Sequence, residues 1–171
     1  MGQLIELYSR RAVLALTTWP TPRGWALSGA IGVATLAVLG AIGFSTGLYA
    51  LHPANTTGLA CRLAGTFVAP AIGEELVFRG LLIPGRAESP RFVGALAVST
   101  GVFILWHVVE AETFLRAAAP MFLRADFLAC AATLGVGCAV VRRLTGSLWP
   151  AVALHWIMVA IWQTWLGGFT I

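Results

Sequence analysis

A chain of 171 residues has the length of one domain, but 58% hydrophobic against 11% charged residues, with mean hydropathy +0.85, is far from the roughly 25% charged of soluble domains and excludes that class. Its 11 basic residues are all arginine and face 7 acids, a net charge of +4; in so apolar a chain that balance reports membrane orientation and excludes nucleic acid as a partner. Cys61, Cys130 and Cys138 lie scattered in apolar sequence without C-x-x-C spacing, which excludes a disulfide framework and a zinc ribbon.

Residues 1–23 form an N-terminal interfacial segment. Leu4 to Trp19 mixes apolar positions with Glu6, Arg10 and Arg11, the pattern of a helix lying on the inner leaflet or of a frayed tail. The rest, 24–171, reads as one transmembrane domain, an all-α polytopic membrane helix bundle of about five transmembrane helices. A span needs about 20 apolar residues. Gly24 to Leu51 exceeds that length without a charge and is the first span, too long for a signal-peptide core and so an uncleaved anchor. Leu63 to Ile83 is the second, apolar except for Glu74, Glu75 and Arg79, and closed by Pro84-Gly85. Phe92 to Val109 is the third, interrupted only by His107. Phe127 to Val141 is the fourth, short but extendable through Ala125-Asp126. Leu144 to Ile171 is the fifth, following Arg142-Arg143; it contains His155, and its Trp149, Trp156, Trp162 and Trp165 offer interface anchors. Glu110 to Arg124 is expected to be the only sizeable soluble loop.

Arginines in alternate loops set the direction. Arg10, Arg11, Arg23, Arg86, Arg91, Arg142 and Arg143 fall on one side, and Arg62, Arg116 and Arg124 on the other. Seven against three predicts a multi-pass protein of the cell (inner) membrane with a cytoplasmic N-terminus.

A charge at the bilayer centre costs about 2.5–3.5 kcal/mol even on insertion scales, so Glu74, Glu75 and Arg79 on one helix need a reason. At about 100° per residue the two glutamates cannot share a direction, whereas Glu75 and Arg79, i and i+4, can pair on one face. Glu74 then points elsewhere, where burial and the nearby Arg79 act on its carboxyl in opposite senses, a balance that suits a general base. A purely structural ion pair is the alternative. His107 and His155 sit deep in two other spans; either alone bridges helices by hydrogen bonding, but with Glu74 they can converge on one water. Such a set either holds a metal as an open three-ligand site or activates the water directly, and both give hydrolysis. Pro70 and Pro150 are expected to kink their helices and free carbonyls, which suits a wet cavity, with ordinary membrane-helix packing as the equal alternative. Counted along the helix from their inner ends, Glu74 and His155 lie at a depth of about 14 Å and His107 at about 22 Å. A second helix reaching Arg86, or a third starting after Phe92, would close the gap.

Gly73-Glu74-Glu75-Leu76-Val77-Phe78-Arg79-Gly80 resembles the E-E-x-x-x-R motif of the CPBP (ABI) intramembrane proteases, which include the C-a-a-X prenyl endopeptidases. Phe103-Ile104-Leu105-Trp106-His107 resembles the family's F-x-x-x-H, and a third motif, H-x-x-x-N or H-x-x-x-D, would begin at His155. The resemblance covers about residues 60–166 and implies a four-helix catalytic core. It implies that Glu74 and His107 activate water, that Glu75 and Arg79 brace the helix, and that His155 stabilises the oxyanion. It further implies an intramembrane endopeptidase of glutamate type, acting in the lipid bilayer on a membrane-anchored protein or peptide without a cofactor, zinc being the alternative. The small chain is similar to bacterial members that process C-terminal sorting signals. One position departs: the motif's terminal Asn or Asp falls on Val159, which cannot donate a hydrogen bond. Trp106, Trp156, Trp162 and Gln163 are the candidate replacements; without one, the chain reads as a catalytically impaired member that binds a membrane partner.

Overall fold

The computed structural model describes residues 2–54, 56–85, 88 and 92–169, and all regular structure among them is helical. Arg86, Arg91 and Ile171, used above to set orientation and boundaries, lie outside the described residues. Helix α1 (Gly2–Thr17) leaves Leu4, Ile5, Val13 and Leu14 exposed, yet its C-terminal end is tied to the bundle. The Leu148 amide donates to Ala15 O at 2.8 Å, the Trp149 indole donates to Leu16 O at 2.9 Å, and Arg11 Nη1 donates to Leu81 O at 3.1 Å.

Helix α2 (Pro22–Ser45) begins at Thr21, whose hydroxyl accepts from the Gly24 amide at 3.1 Å, with proline in the first turn where no amide hydrogen is needed. It ends well short of the expected Leu51, because Gly47 turns the chain at φ +70° and carries Leu48 and Tyr49 inward to buried positions. Its buried residues Ser28, Gly32, Thr35, Leu39 and Gly43 fall along one face, a small-residue seam of the kind that lets membrane helices approach closely. A Cβ on Gly137 of the later helix over 125–145 would sit 2.5 Å from Thr35 Oγ1, so that glycine sets the closeness of the two helices.

The second expected span is a broken run. Helix α3 (Leu59–Thr66) passes into π-type turns over Phe67–Ile72, a single turn α4 (Gly73–Glu75) and further π-type turns over Leu76–Leu81. Ala69 is extended (φ −135°, ψ 116°) ahead of Pro70, so the expected kink is present there. The Gly73 amide donates to Val68 O across the break, keeping a freed carbonyl paired, as hydrocarbon surroundings require.

Helix α5 (Phe92–Glu112) runs past the expected Val109. Glu110 to Arg124 is not the soluble loop expected: its first part stays helical in α5, and a 3₁₀ turn, Arg116–Ala118, and α6 (Ala119–Phe122) fold back to bury Ala118 and Phe122. Helix α7 (Ala125–Thr145) extends the expected fourth span at both ends. With α2 and α5 it makes three described helices long and apolar enough to cross a membrane. Helix α8 (Trp149–Trp165) has 17 residues, shorter than the apolar stretch containing it, because Gly146 at φ +72° and Gly167 at φ +77° reverse the chain before and after it. Pro150 does not kink α8. It lies in the first turn, where proline removes no hydrogen bond.

Candidate active site

The single turn Gly73–Glu75 sends two successive carboxylates in different directions. Glu75 points into the bundle with 0% exposure, and its Oε1 accepts from Arg79 Nη1 at 2.9 Å and from His155 Nδ1 at 2.9 Å. The expected i,i+4 pair is therefore formed, and it extends to α8. Arg79 lies over the Phe103 ring at 4.2 Å and fits because α7 carries Gly135, where a Cβ would stand 2.8 Å from Nη2.

Glu74 faces a cavity of about 550 Å³ that is also lined by His107, His155, Val159 and Trp162. Its Oε1 accepts from the Trp106 indole at 3.2 Å, while Oε2 is buried without a hydrogen-bond partner, 3.8 Å from His155 Nε2. His155 donates from Nδ1, since its partner Glu75 is the carboxylate of an ion pair, and so presents Nε2 to Glu74. His107 donates from Nδ1 to Phe103 O at 2.9 Å. A carbonyl can only accept, which leaves His107 Nε2 with its lone pair. Phe103, Phe122 and Phe127 hold this ring edge-on, with centroids at 4.7, 5.6 and 5.4 Å.

The five residues singled out by sequence thus fall into two groups. Glu74, Glu75, Arg79 and His155 form one connected cluster. His107 shares the cavity, and no hydrogen bond joins it to Glu74 among the described residues. Neither remedy for the depth mismatch occurs, since the broken run ends at Leu81 and α5 starts at Phe92.

Sequence reasoning missed Glu110. It lines the same cavity at 8% exposure, within electrostatic reach of Glu74. Its spacing of i+3 from His107 and i+4 from Trp106 is the available signal, hidden by ending the span at Val109. Of the four candidate donors, Trp106 is bonded to Glu74, the Trp156 indole donates to Leu63 O at 2.9 Å, and Gln163 Nε2 donates to Phe169 O at 2.9 Å. Trp162 Nε1 is buried at the cavity with no partner.

A helical membrane bundle with glutamates and histidines from separate helices around one internal cavity is the architecture of a polytopic membrane enzyme. Residues 56–161 match the family described as Type II CAAX prenyl endopeptidase Rce1-like, and the chain belongs to it. It is therefore a member of a family of CAAX-type intramembrane proteases, and the match contains every cluster residue. No curated protein and no solved structure matches the chain.

The buried pair gives the first prediction. Glu75→Leu leaves Arg79 without a counter-charge and should lower stability by about 3–5 kcal/mol. Glu75→Leu combined with Arg79→Met should recover most of that loss in thermal unfolding in detergent. Equal losses in the single and double variants would show that the pair is not what holds this part of the bundle.

Proposed function

We propose that the chain is a glutamate-type intramembrane endopeptidase that hydrolyses a peptide bond in a membrane-anchored protein or peptide. The observation that carries this reading is Glu74 Oε2, buried without a hydrogen-bond partner on a residue that lines the cavity and 3.8 Å from His155 Nε2. A carboxylate oxygen with no protein donor, on a residue lining a largely apolar cavity, is where a water would be bound and deprotonated.

The balance of charge supports the assignment. Glu75 and Arg79 cancel, so the remaining pair, Glu74 and His155, is neutral when it holds one proton beyond His155 Nδ1–H. Carried on His155 Nε2, that proton leaves Glu74 ionised as a base and gives His155 a donor. Water then attacks the scissile carbonyl, its proton passes to Glu74, and the oxyanion accepts from His155 Nε2–H. Glu74 returns the proton to the leaving amine. The free lone pair of His107 Nε2 serves as a second acceptor for the attacking water. No three His, Cys, Asp or Glu side chains among the described residues are grouped as metal ligands.

Trp162 Nε1 takes the donor role that Val159 cannot fill. Residues 155, 159 and 162 share one face of α8 and all line the cavity, which supports this role. Val159 is also what favours the second reading, a catalytically impaired partner-binding protein.

Three measurements check these statements. Glu74→Gln should abolish cleavage of a membrane-anchored substrate in liposomes without loss of folding, His107→Ala should lower it about 100-fold or more, and a strong chelator should leave it unchanged; loss on chelation with rescue by zinc would make these residues ligands instead. Trp162→Phe should slow cleavage by about 100- to 1,000-fold, with Val159→Asn restoring part of the loss. If wild type and every such variant are inert, the partner-binding reading replaces the enzyme. Finally, we assign the N-terminus to the cytoplasm: a reporter inserted at Gly146 should read as cytoplasmic and one at Thr113 as extracytoplasmic, and the reverse pattern would invert the bundle.

A further inference from the structure

A second cavity, of about 980 Å³, opens at the end of the bundle where α1, the start of α2 and the end of α7 meet. Arg10, Arg11, Arg23 and Arg142 line it, with Glu88 the only acid. Arg11 Nε is paired with Glu88 Oε2 at 2.7 Å, which leaves Arg10, Arg23 and Arg142 without an ion-pair partner among the described residues; Arg142 feels Glu88 only at longer range. Arg143, beside them, is turned away and donates to the carbonyls of Pro84 and Gly85.

Arg142 is the informative one. The sequence alone puts it in a loop facing water, yet it occupies the last turn of α7 with 1% exposure, and its Nε and Nη1 have no hydrogen-bond partner. A buried guanidinium with unused donors is costly unless something anionic completes it. Glu88 is the only acid in the adjoining sequence 82–91 and is already committed to Arg11 and to the Gly85 amide, at 2.9 Å. The N-terminus of α2 and the C-terminus of α7 both border the cavity, so their helix dipoles oppose each other and the arginines decide its sign.

The surroundings place the cavity at headgroup level. Trp19, exposed at 68%, sits 5.8 Å from Trp25 and 6.2 Å from Trp149, a tryptophan cluster of the kind that marks the membrane–water interface. Leu7, Leu14 and Leu27 supply an apolar wall next to the arginines. Phosphate esters suit guanidinium donors through charge-assisted, forked hydrogen bonds, and basic pockets at a helix-bundle surface take acidic lipid headgroups. We propose that this cavity binds the phosphate of an acidic phospholipid, with Arg142 as its buried anchor and Arg10 and Arg23 at its mouth. Arg10, Arg11 and Arg23 lie outside the family match of residues 56–161, so the site is built largely by this chain's own N-terminal helices.

The test uses the full chain in nanodiscs of phosphatidylcholine with or without phosphatidylglycerol, reading lipid retention by native mass spectrometry and the melting temperature. Phosphatidylglycerol should be retained in preference to phosphatidylcholine and should raise Tm. Each of Arg10→Gln, Arg23→Gln and Arg142→Gln should weaken retention about fivefold, the factor equal to the ~1 kcal/mol of one arginine near an acidic surface. The two exposed variants keep the test decisive should Arg142→Gln fail to fold. Inorganic phosphate that raises Tm as much and displaces the lipid would reassign the site to a free phosphate and overturn the lipid proposal. Equal retention of the two lipids, or retention unchanged in the arginine variants, would overturn it outright.

Discussion

One oxygen atom, Glu75 Oε1, holds Arg79 and His155 at 2.9 Å each with all three groups buried. The broken run and α8 are joined there. Arg79 in turn needs the Phe103 ring of α5 beneath it and the missing side chain of Gly135 on α7 beside it, so four elements meet around one ion pair. Such a pair is a weak source of net stability, because desolvating both charges costs several kcal/mol before attraction is counted. Its contribution is geometric. An apolar substitute would pack as well but would leave the His155 ring free to choose its rotamer and tautomer, whereas the carboxylate fixes Nδ1 as the donor and aims Nε2 at Glu74.

The helix carrying Glu75 could not do this if it were regular. Hydrocarbon surroundings forbid loose backbone unless protein covers it, yet the run from Leu59 to Leu81 contains an extended residue and two stretches of π-type turns. The Gly73 amide reaches back to Val68 O, and Ser99 of α5 donates to Phe78 O at 2.8 Å. The irregularities are thus satisfied by the chain itself. In exchange, Glu74 stands where the cavity borders Ala69, Pro70 and Gly73, on the single α-turn between two widened stretches of the kind found at functional sites.

Much of this is legible in the sequence and some is not, for definable reasons. The spacing of Glu75 and Arg79 predicts their pairing, since contact at i+4 is a property of any helix. Ala69-Pro70 predicts the break. The three long apolar helices follow from the cost of leaving apolar or charged residues in the wrong phase. Contacts between helices are a different matter. Nothing local says that His155 meets Glu75 across 80 residues or that Trp106 meets Glu74 across 32. Helix ends are lost where charge is taken to mean water. Glu110 and Arg142 read as loop residues because they are ionisable, and both are buried. Pro150 misleads because a proline signals a kink or a start depending only on where the helix begins.

Val159 puts an apolar side chain on the cavity face of α8, one turn after His155. The residues of α8 that face the cavity recur at about one-turn intervals, His155, Val159 and Trp162 among them, and each presents its side chain over the turn before its own Cα. Positions 159 and 162 therefore lie about one turn apart on the same face of the helix. The Phe127 ring, 5.7 Å from Trp162 and 5.4 Å from His107, confines that indole from one side. Gly168 confines it from the other, where a Cβ would lie 2.6 Å from the ring. Packing on both sides leaves the Trp162 indole little room to turn, although its Nε1 has no hydrogen-bond partner. The proposed donor role of Trp162 rests on that unpaired N–H, carried on the same cavity-lining face of α8 as His155.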